Sequence, residues 1–484
     1  MNAWLTTILI LLPAAGALLV AIAPLPGYGL GSLASLISLV EVGFWITSAA
    51  KFDFSDPSLQ FAKNRPWFSD LGVSYHVGQY AFSLWLVGAT VVVMAASTIY
   101  GWWLGRARPR AYFSLMLLLT SAIVGVFTAQ DLLLFYAFFE AMLIPLYVLI
   151  GVWGGPGRLR ATLTFVIYTV VGSLLMLASI VVLGLQQGTF DLTKMGTSTS
   201  TWLFLGFVIA FSIKSPFFPL HGWLPDTYRE SPPEVSAVLS GIVAKAGLYG
   251  FLRIVIPKFP TVVHDWRVVL LVLSSVTLVY GSLLAFRAPD FRGVVMYSSM
   301  AQSGLIGLGL FANNTLGLDG AVLQMVNHAL VSSSLFLLAG MVERRTSTGE
   351  FRLLGGMARG RPALATLIMT AGVISLAVPL STTFAGEFLI LAGVFQQGWP
   401  WAVIGASGIV LAAMYMVRAI SAVLHEDVGS AVPDAALDLR IGELAVVVPL
   451  VLCLLGLSAW PNLISQRAFA GNQATSAIVQ GLAR

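Results

Sequence analysis

The chain has 484 residues, 58% of them hydrophobic and only 10% charged. Soluble globular domains carry about 25% charged residues, so this composition excludes them and describes a polytopic membrane protein. The net charge of +5 does not mark a nucleic-acid binder, because the basic residues fall in membrane-flanking loops. A single cysteine, Cys453, excludes a disulfide framework and any cysteine-ligated metal or iron–sulfur site within the chain. The five histidines are scattered and no Gly-rich phosphate loop follows a strand, so no nucleotide, metal or redox cofactor is expected here.

The first apolar stretch, residues 3–23, lacks the basic segment of a signal peptide and reads as a retained helix. Stretches of about 20 apolar residues, the length that crosses a bilayer as helix, recur about fourteen times. Their approximate centres are 13, 39, 90, 119, 142, 173, 212, 244, 273, 301, 330, 378, 411 and 453. Hydrophobicity is continuous rather than alternating, which excludes a β-barrel. The longest connections, about 51–78, 343–361 and 425–440, are too short for a soluble domain. The expected fold is a single all-α membrane domain.

Alternate loops differ in basic charge. One set holds Arg106, Arg108, Arg110, Arg158, Arg160, Arg344 and Arg345 among others; the second holds fewer, including Lys194, Arg253 and Lys258. The richer set is expected to be cytoplasmic. An even helix count then puts both termini on the external side.

Ionisable groups at bilayer depth cost at least about 2.5–3.5 kcal/mol each on insertion scales, so each one asks for a reason. Glu41 in the second helix reads as a contact to a neighbouring subunit or a groove rather than part of a path. Glu140 lies in Phe138-Phe-Glu-Ala-Met-Leu-Ile-Pro145 of the fifth helix. The seventh reads Phe211-Ser-Ile-Lys-Ser-Pro-Phe-Phe-Pro-Leu-His-Gly-Trp-Leu-Pro225, with Lys214 beside the first proline and His221 beyond it. Asp226, Arg229, Glu230 and Glu234 then read as a solvated loop. Lys245 in the eighth helix has small neighbours, Ala244 and Ala246, that leave room for water. His328 in Gln324-Met-Val-Asn-His-Ala-Leu330 of the eleventh can relay protons through either ring nitrogen. The twelfth reads Val378-Pro-Leu-Ser-Thr-Thr-Phe-Ala-Gly-Glu-Phe388 and carries Glu387. Arg418 and Glu443 lie near helix ends and read as interface anchors.

Proline removes a donor and clashes with the preceding turn, so helices seven and twelve are expected to break inside the membrane. Two broken helices five apart, each beside a charge, suggest two inverted repeats of five helices. The division would be helices 1–3 over residues 1–110, a first repeat (helices 4–8) over 111–257, a second (helices 9–13) over 262–424, and a last loop and helix over 425–484. A carboxylate paired with an ammonium stays ionised, so Glu140 and Lys214 form either a static buried salt bridge or a proton switch. Lys214, Lys245, His328 and Glu387 supply a relay ending on a carboxylate, with water in the gaps. His221 is either a relay or a cap for freed carbonyls.

These segments resemble a known family. Lys214-Ser-Pro-Phe-Phe-Pro-Leu-His-Gly-Trp-Leu-Pro-Asp226 is similar to the signature of the antiporter-like subunits of respiratory complex I and of the Mrp-type cation/proton antiporters. Phe139-Glu-Ala-Met-Leu-Ile-Pro-Leu-Tyr147, the segment 320–330 with Glu343-Arg-Arg345, and Gly386-Glu-Phe-Leu-Ile390 resemble the M (ND4-type) branch, where other branches have lysine at the position of Glu387. The resemblance implies a fourteen-helix fold with two inverted five-helix repeats. It assigns Glu140 and Lys214 to the first half-channel, Lys245 and His328 to the centre, and Glu387 to the terminal site. It also implies neighbouring antiporter-like membrane subunits as partners, with NADH, flavin, iron–sulfur clusters and quinone on other subunits. Two positions depart from the family pattern: Gln79-Tyr80 follow Gly78 where Asp-Gly is usual, and Gln302 stands where a second relay histidine follows Tyr297-Ser-Ser299.

The expected function is proton translocation driven by electron transfer elsewhere in a complex, with no redox chemistry in this chain. The alternatives are a gradient-driven Mrp-type antiporter subunit, an M-like subunit of a membrane-bound hydrogenase, or a scaffold that has lost transport.

Overall fold

A computed structural model describes residues 2–433 and 438–469. Among these, twelve helices are long and apolar enough to cross a membrane, and two further crossings are each built from two short pieces. In chain order the first six crossings are Asn2–Ile22, Gly27–Lys51, Ala81–Leu104, Pro109–Thr128, Leu132–Trp153 and Arg158–Gln187. The seventh is split into Thr201–Lys214 and Leu224–Glu230. Pro233–Lys258, Arg267–Arg287, Phe291–Ala312 and Thr315–Thr346 follow as eighth to eleventh. The twelfth is split into Pro362–Ser375 and Thr382–Phe395, before Trp399–His425 and Ile441–Ala459. Fourteen crossings with breaks in the seventh and twelfth match the expectation.

Both breaks satisfy their freed backbone groups within the protein, as hydrocarbon requires. At the first, the Trp223 indole donates to Ile213 O at 2.9 Å, and Phe218 N donates to Thr277 Oγ1 of the ninth helix at 3.0 Å. At the second, Ser381 Oγ caps Phe384 N, Thr382 N donates to Ser458 Oγ of the last helix, and Asn327 Nδ2 donates to Thr382 O. Ala377 (φ +53°) and Leu380 (φ +78°) hold left-handed conformations there, which cost non-glycine residues about 1–2 kcal/mol each.

Two further irregularities lie outside these breaks. The fifth helix is interrupted at Met142, because Pro145 has no N–H for the carbonyl of Ala141. The eighth contains two π-helical turns, Leu239–Val243 and Phe251–Val255. The eighth and eleventh are the most enclosed crossings and form the centre of the bundle.

The 51–78 connection, expected to be a loop, contains an antiparallel hairpin of Gln60–Phe68 and Val73–Gln79. Its second strand is stitched to two other connections. Ser74 N donates to Asp131 Oδ2 at 3.0 Å, Gln130 N donates to His76 O at 2.8 Å, and His76 Nδ1 lies 3.1 Å from Asp191 Oδ2. Burial pushes the Asp191 carboxyl up, but hydrogen bonds from His76 and Thr193 outweigh it and hold the group well below the usual carboxylate range.

At the other end of the bundle, three ion pairs correct the loop and anchor readings. Glu234 is buried, not solvated: Arg106 binds both its oxygens at 2.7 and 2.8 Å, and Tyr112 OH donates to it at 2.5 Å. Arg292 binds Glu343, and Arg345 binds Glu443 through 3.0 and 2.7 Å contacts, so Glu443 is an internal partner rather than an interface anchor. Arg418 likewise turns inward, its guanidinium donating to Ala288 O and lying over Phe286 and Phe351. Each bidentate pair fixes an orientation that a looser contact would leave free.

Helices eleven and twelve meet backbone to backbone. A Cβ at Gly320 would lie 2.7 Å from Ile390 N and 2.9 Å from Gly386 O. Gly320→Ala is therefore expected to cost about 1–3 kcal/mol through overpacking and to lower the melting midpoint of the detergent-solubilised protein. Gly456→Ala, where a Cβ meets nothing within 4 Å, should leave it unchanged. Because the Asp191 pKa is depressed by folding, its contribution holds above the unfolded value near 3.9 and fades as pH falls below it. Hairpin amides should lose protection several-fold, relative to their intrinsic exchange rates, below about pH 4, and in Asp191→Asn that protection should already be reduced at neutral pH.

Candidate proton path

Lys214 ends the first half of the seventh helix, where the free carbonyl end of the helix dipole favours a cation. It is 1% exposed. Its Nζ stands 4.9 Å from the Phe139 ring and 5.7 Å from that of Phe165. Glu140, half-buried at the interruption of the fifth helix, is the carboxylate whose charge acts on it. No ion pair within 4.0 Å joins the two among the described residues. The pair is thus arranged as charges at a distance, not as a closed salt bridge.

The break packs on the eighth helix at Gly247, where a Cβ would sit 2.6 Å from Phe211 O and 3.2 Å from Lys214 Cβ. Ser215, next to Lys214, donates its hydroxyl to Ala244 O at 3.2 Å, next to Lys245. Lys245 is 1% exposed, and its Nζ donates to Ser240 O at 2.7 Å. Ser240 lies within the π turn Leu239–Val243, and Lys245 stands two residues beyond that turn. The Ser240 hydroxyl donates to Ser299 Oγ of the tenth helix at 2.7 Å and also bonds Ser332 Oγ of the eleventh. Ser332 is one turn from His328 on the eleventh helix.

Beyond this point lies a cavity of about 20 Å³ lined by Gln302, Gln324, His328, Ser332, Thr383 and Tyr415 among others. That is room for about one water. His328 Nε2 and Thr383 Oγ1 are buried without a protein partner, and buried polar atoms of this kind are what an internal water satisfies. On the far wall, Gln302 Nε2 donates to Glu387 Oε1 at 2.9 Å. Gln324 Nε2 donates to Gln302 Oε1 at 2.8 Å and, more weakly, to Glu387 Oε1 at 3.4 Å. Thr382 Oγ1 donates to Asn327 Oδ1 at 2.7 Å, tying the second break to the same amide cluster. Glu387 is 1% exposed, and its Oε2 is buried without a partner. The Gly386 position allows this approach, because a Cβ there would lie 2.6 Å from Gln324 Oε1.

Of the expected site residues, Gln302 is bonded to Glu387, Lys245 reaches Ser240, whose hydroxyl bonds Ser332 one turn from His328, and Lys214 and Glu140 make no direct bond. His221 bonds none of them. Its ring packs on Phe218 and Tyr280 at 5.8 and 5.4 Å, and its Nδ1 has no partner. Glu41 is not a surface contact: it is 1% exposed within this chain, with both carboxyl oxygens unpartnered. Sequence reasoning missed Ser240, Ser299 and Gln324 as linkers, since serine and glutamine in a helix give no signal until a facing helix is known. Among the described residues no group of three or more His, Cys, Asp and Glu side chains could hold a metal ion.

Residues 129–412 match the family model described as NADH:quinone oxidoreductase/Mrp antiporter, TM. The NADH-quinone oxidoreductase subunit M of Rickettsia prowazekii is 35% identical over 421 residues, covering 86% of each chain. A chain of respiratory complex I from Thermus thermophilus superposes with a TM-score of 0.90 at 29% identity, over 99% of both chains. A chain of the Mrp complex from Dietzia sp. shares the fold, with a TM-score of 0.87 at 19% identity over 99% of this chain and 97% of that one. This chain belongs to the NADH:quinone oxidoreductase/Mrp antiporter family of membrane subunits, alongside relatives named subunit M.

Proposed function

We propose that this chain is the proton-translocating membrane subunit M of a redox-driven NADH–quinone oxidoreductase in a bacterial cell membrane. Protons pass along Glu140, Lys214, Lys245, His328 and Glu387, with Ser240, Ser299, Ser332, Gln302 and Gln324 as hydrogen-bonding links. The observation that carries the reading is the set of buried ionisable groups, Lys214, Lys245, His328 and Glu387, with serine and amide side chains bonded between them, in the most enclosed part of the bundle. Static structure alone offers no return for burying it.

The chain itself does no redox chemistry in this reading. NADH, flavin, iron–sulfur clusters and quinone belong to partner subunits, and the neighbours include other antiporter-like subunits. Moving Glu140 relative to Lys214 changes the charge the lysine sees, and each 1.4 kcal/mol of that change is worth about tenfold in its proton affinity. A proton released there has Lys245 as the next base, reached past Ser215. From Lys245 the serine cluster leads to His328. Gln302 and Gln324 do not titrate, so the last transfer to Glu387 runs through water in the cavity and ends on its unpartnered oxygen. The division at residues 1–110, 111–257, 262–424 and 425–484, with the middle parts as inverted copies and both termini external, belongs to the same proposal.

Lys214→Ala and Glu387→Gln, each in an assembled complex, should lower proton pumping per electron at least tenfold in energised vesicles. Normal pumping in both variants would overturn the reading. Gln302→Leu removes the donor to Glu387 and should slow pumping several-fold, whereas Gln302→His should preserve it. The Mrp fold likeness supports a second reading, gradient-driven cation/proton exchange. Sodium-dependent proton movement in vesicles given no electron donor would favour it.

A further inference from the structure

The eighth helix carries a second buried cation that the relay does not use. Arg253 sits within the π turn Phe251–Val255, and Lys245 stands two residues beyond the π turn Leu239–Val243. The two residues are eight apart in sequence, about 12 Å along the axis at 1.5 Å per residue. Basic-residue counting places Arg253 and Lys258 in an outer loop, but both are less than 10% exposed inside the helix.

Arg253 is held on two sides. Its Nη2 donates to Gln130 Oε1 at 2.7 Å, and the guanidinium lies 5.1 Å from the Tyr80 ring. Gln130 is itself fixed, its Nε2 donating to Thr128 O at 3.1 Å and Gly78 O at 3.3 Å. No carboxylate pairs with Arg253 among the described residues. Between Lys245 and Arg253, Tyr249 OH donates to Phe127 O at 2.9 Å. Beyond Arg253 on the same helix, Lys258 Nζ donates to Met195 O, and Asp191 and His76 meet under the hairpin. Arg253 Nε and both amide atoms of the fully buried Gln79 lack partners, a set that internal water satisfies.

A polar passage from the Lys214–Lys245 pair to the hairpin end would short-circuit a pump unless something stopped protons in it. A guanidinium is always charged, and a fixed cation in a narrow passage excludes protons and other cations. We propose that Arg253 is an electrostatic plug, a positioned charge that closes the hairpin end of the first half-channel against proton leak. The unpaired state of the guanidinium is part of the argument, because a carboxylate partner would cancel the barrier. The inference rests on the relay reading above, but its test needs no pumping.

The assembled complex is placed in liposomes holding an internal pH dye, given no electron donor, and exposed to an imposed membrane potential. Native protein should be tight. Arg253→Gln, which keeps an amide facing Gln130, should raise passive proton flux about tenfold, and Arg253→Lys should stay tight. Gln130→Glu leaves the guanidinium in place but neutralises it, and should leak as well. This second variant decides the matter if Arg253→Gln does not assemble. Adding Lys245→Ala to a leaking variant should return it to the native level. Native tightness in the neutralised variants, equal leak in Arg253→Lys, or a leak that survives Lys245→Ala would each overturn the proposal. A failed relay would show instead as normal pumping in Lys214→Ala and Glu387→Gln.

Discussion

Every feature of this molecule follows from placing charge in a medium that does not solvate it. Lys214, Lys245 and Glu387 are each 1% exposed in a bundle whose core is mostly aliphatic and aromatic side chains. Such groups persist only when dipoles, hydrogen bonds or water stand in for lost hydration. The structure supplies the first two by deforming its helices. Lys214 ends a half-helix, Glu140 adjoins a proline interruption, Lys245 follows a π turn, and Glu387 lies in the second turn after a break. Each deformation exposes backbone polar groups that a regular helix would have consumed.

Those deformations are expensive in hydrocarbon, and the bundle compensates with specific partners. Trp223 and Thr277 serve the first break; Ser458, Asn327 and Ser381 serve the second. Glycines let the helices approach closely enough for this. Gly247 seats the first break against the eighth helix, and Gly386 with Gly320 seats the second against the eleventh. The dry backbone seam and the wet amide cluster are therefore two sides of the same contact. Widening one to admit a side chain would pull Glu387 away from Gln302 and Gln324.

The ends of the bundle are held differently from its middle. Bidentate Arg–Glu pairs link Arg106 to Glu234 and Arg345 to Glu443 at one end, while the hairpin and the His76–Asp191 contact close the other. At the first end the Glu234 and Glu443 carboxylates are paired, whereas the central groups retain unpartnered atoms at His328, Thr383 and Glu387. An incompletely satisfied middle suits a path whose protons must move without the bundle opening.

The sequence by itself determined the number of crossings and the breaks in helices seven and twelve. It also singled out Glu140, Lys214, Lys245, His328 and Glu387, because charge and proline in an apolar run are local violations visible without a partner. It did not determine what lies between them. Ser240, Ser299, Ser332 and Gln324 became links only when helices eight, ten and eleven were packed together, since a neutral polar residue is informative only by what it faces. The same limit misplaced Glu41, Glu234, Arg253 and Glu443. Their burial depends on which helices surround them, and a linear pattern of hydrophobicity does not carry that information. The hairpin at 60–79 escaped for a related reason: its pairing is closed by Asp131 and Asp191, distant residues that only the tertiary structure brings to it.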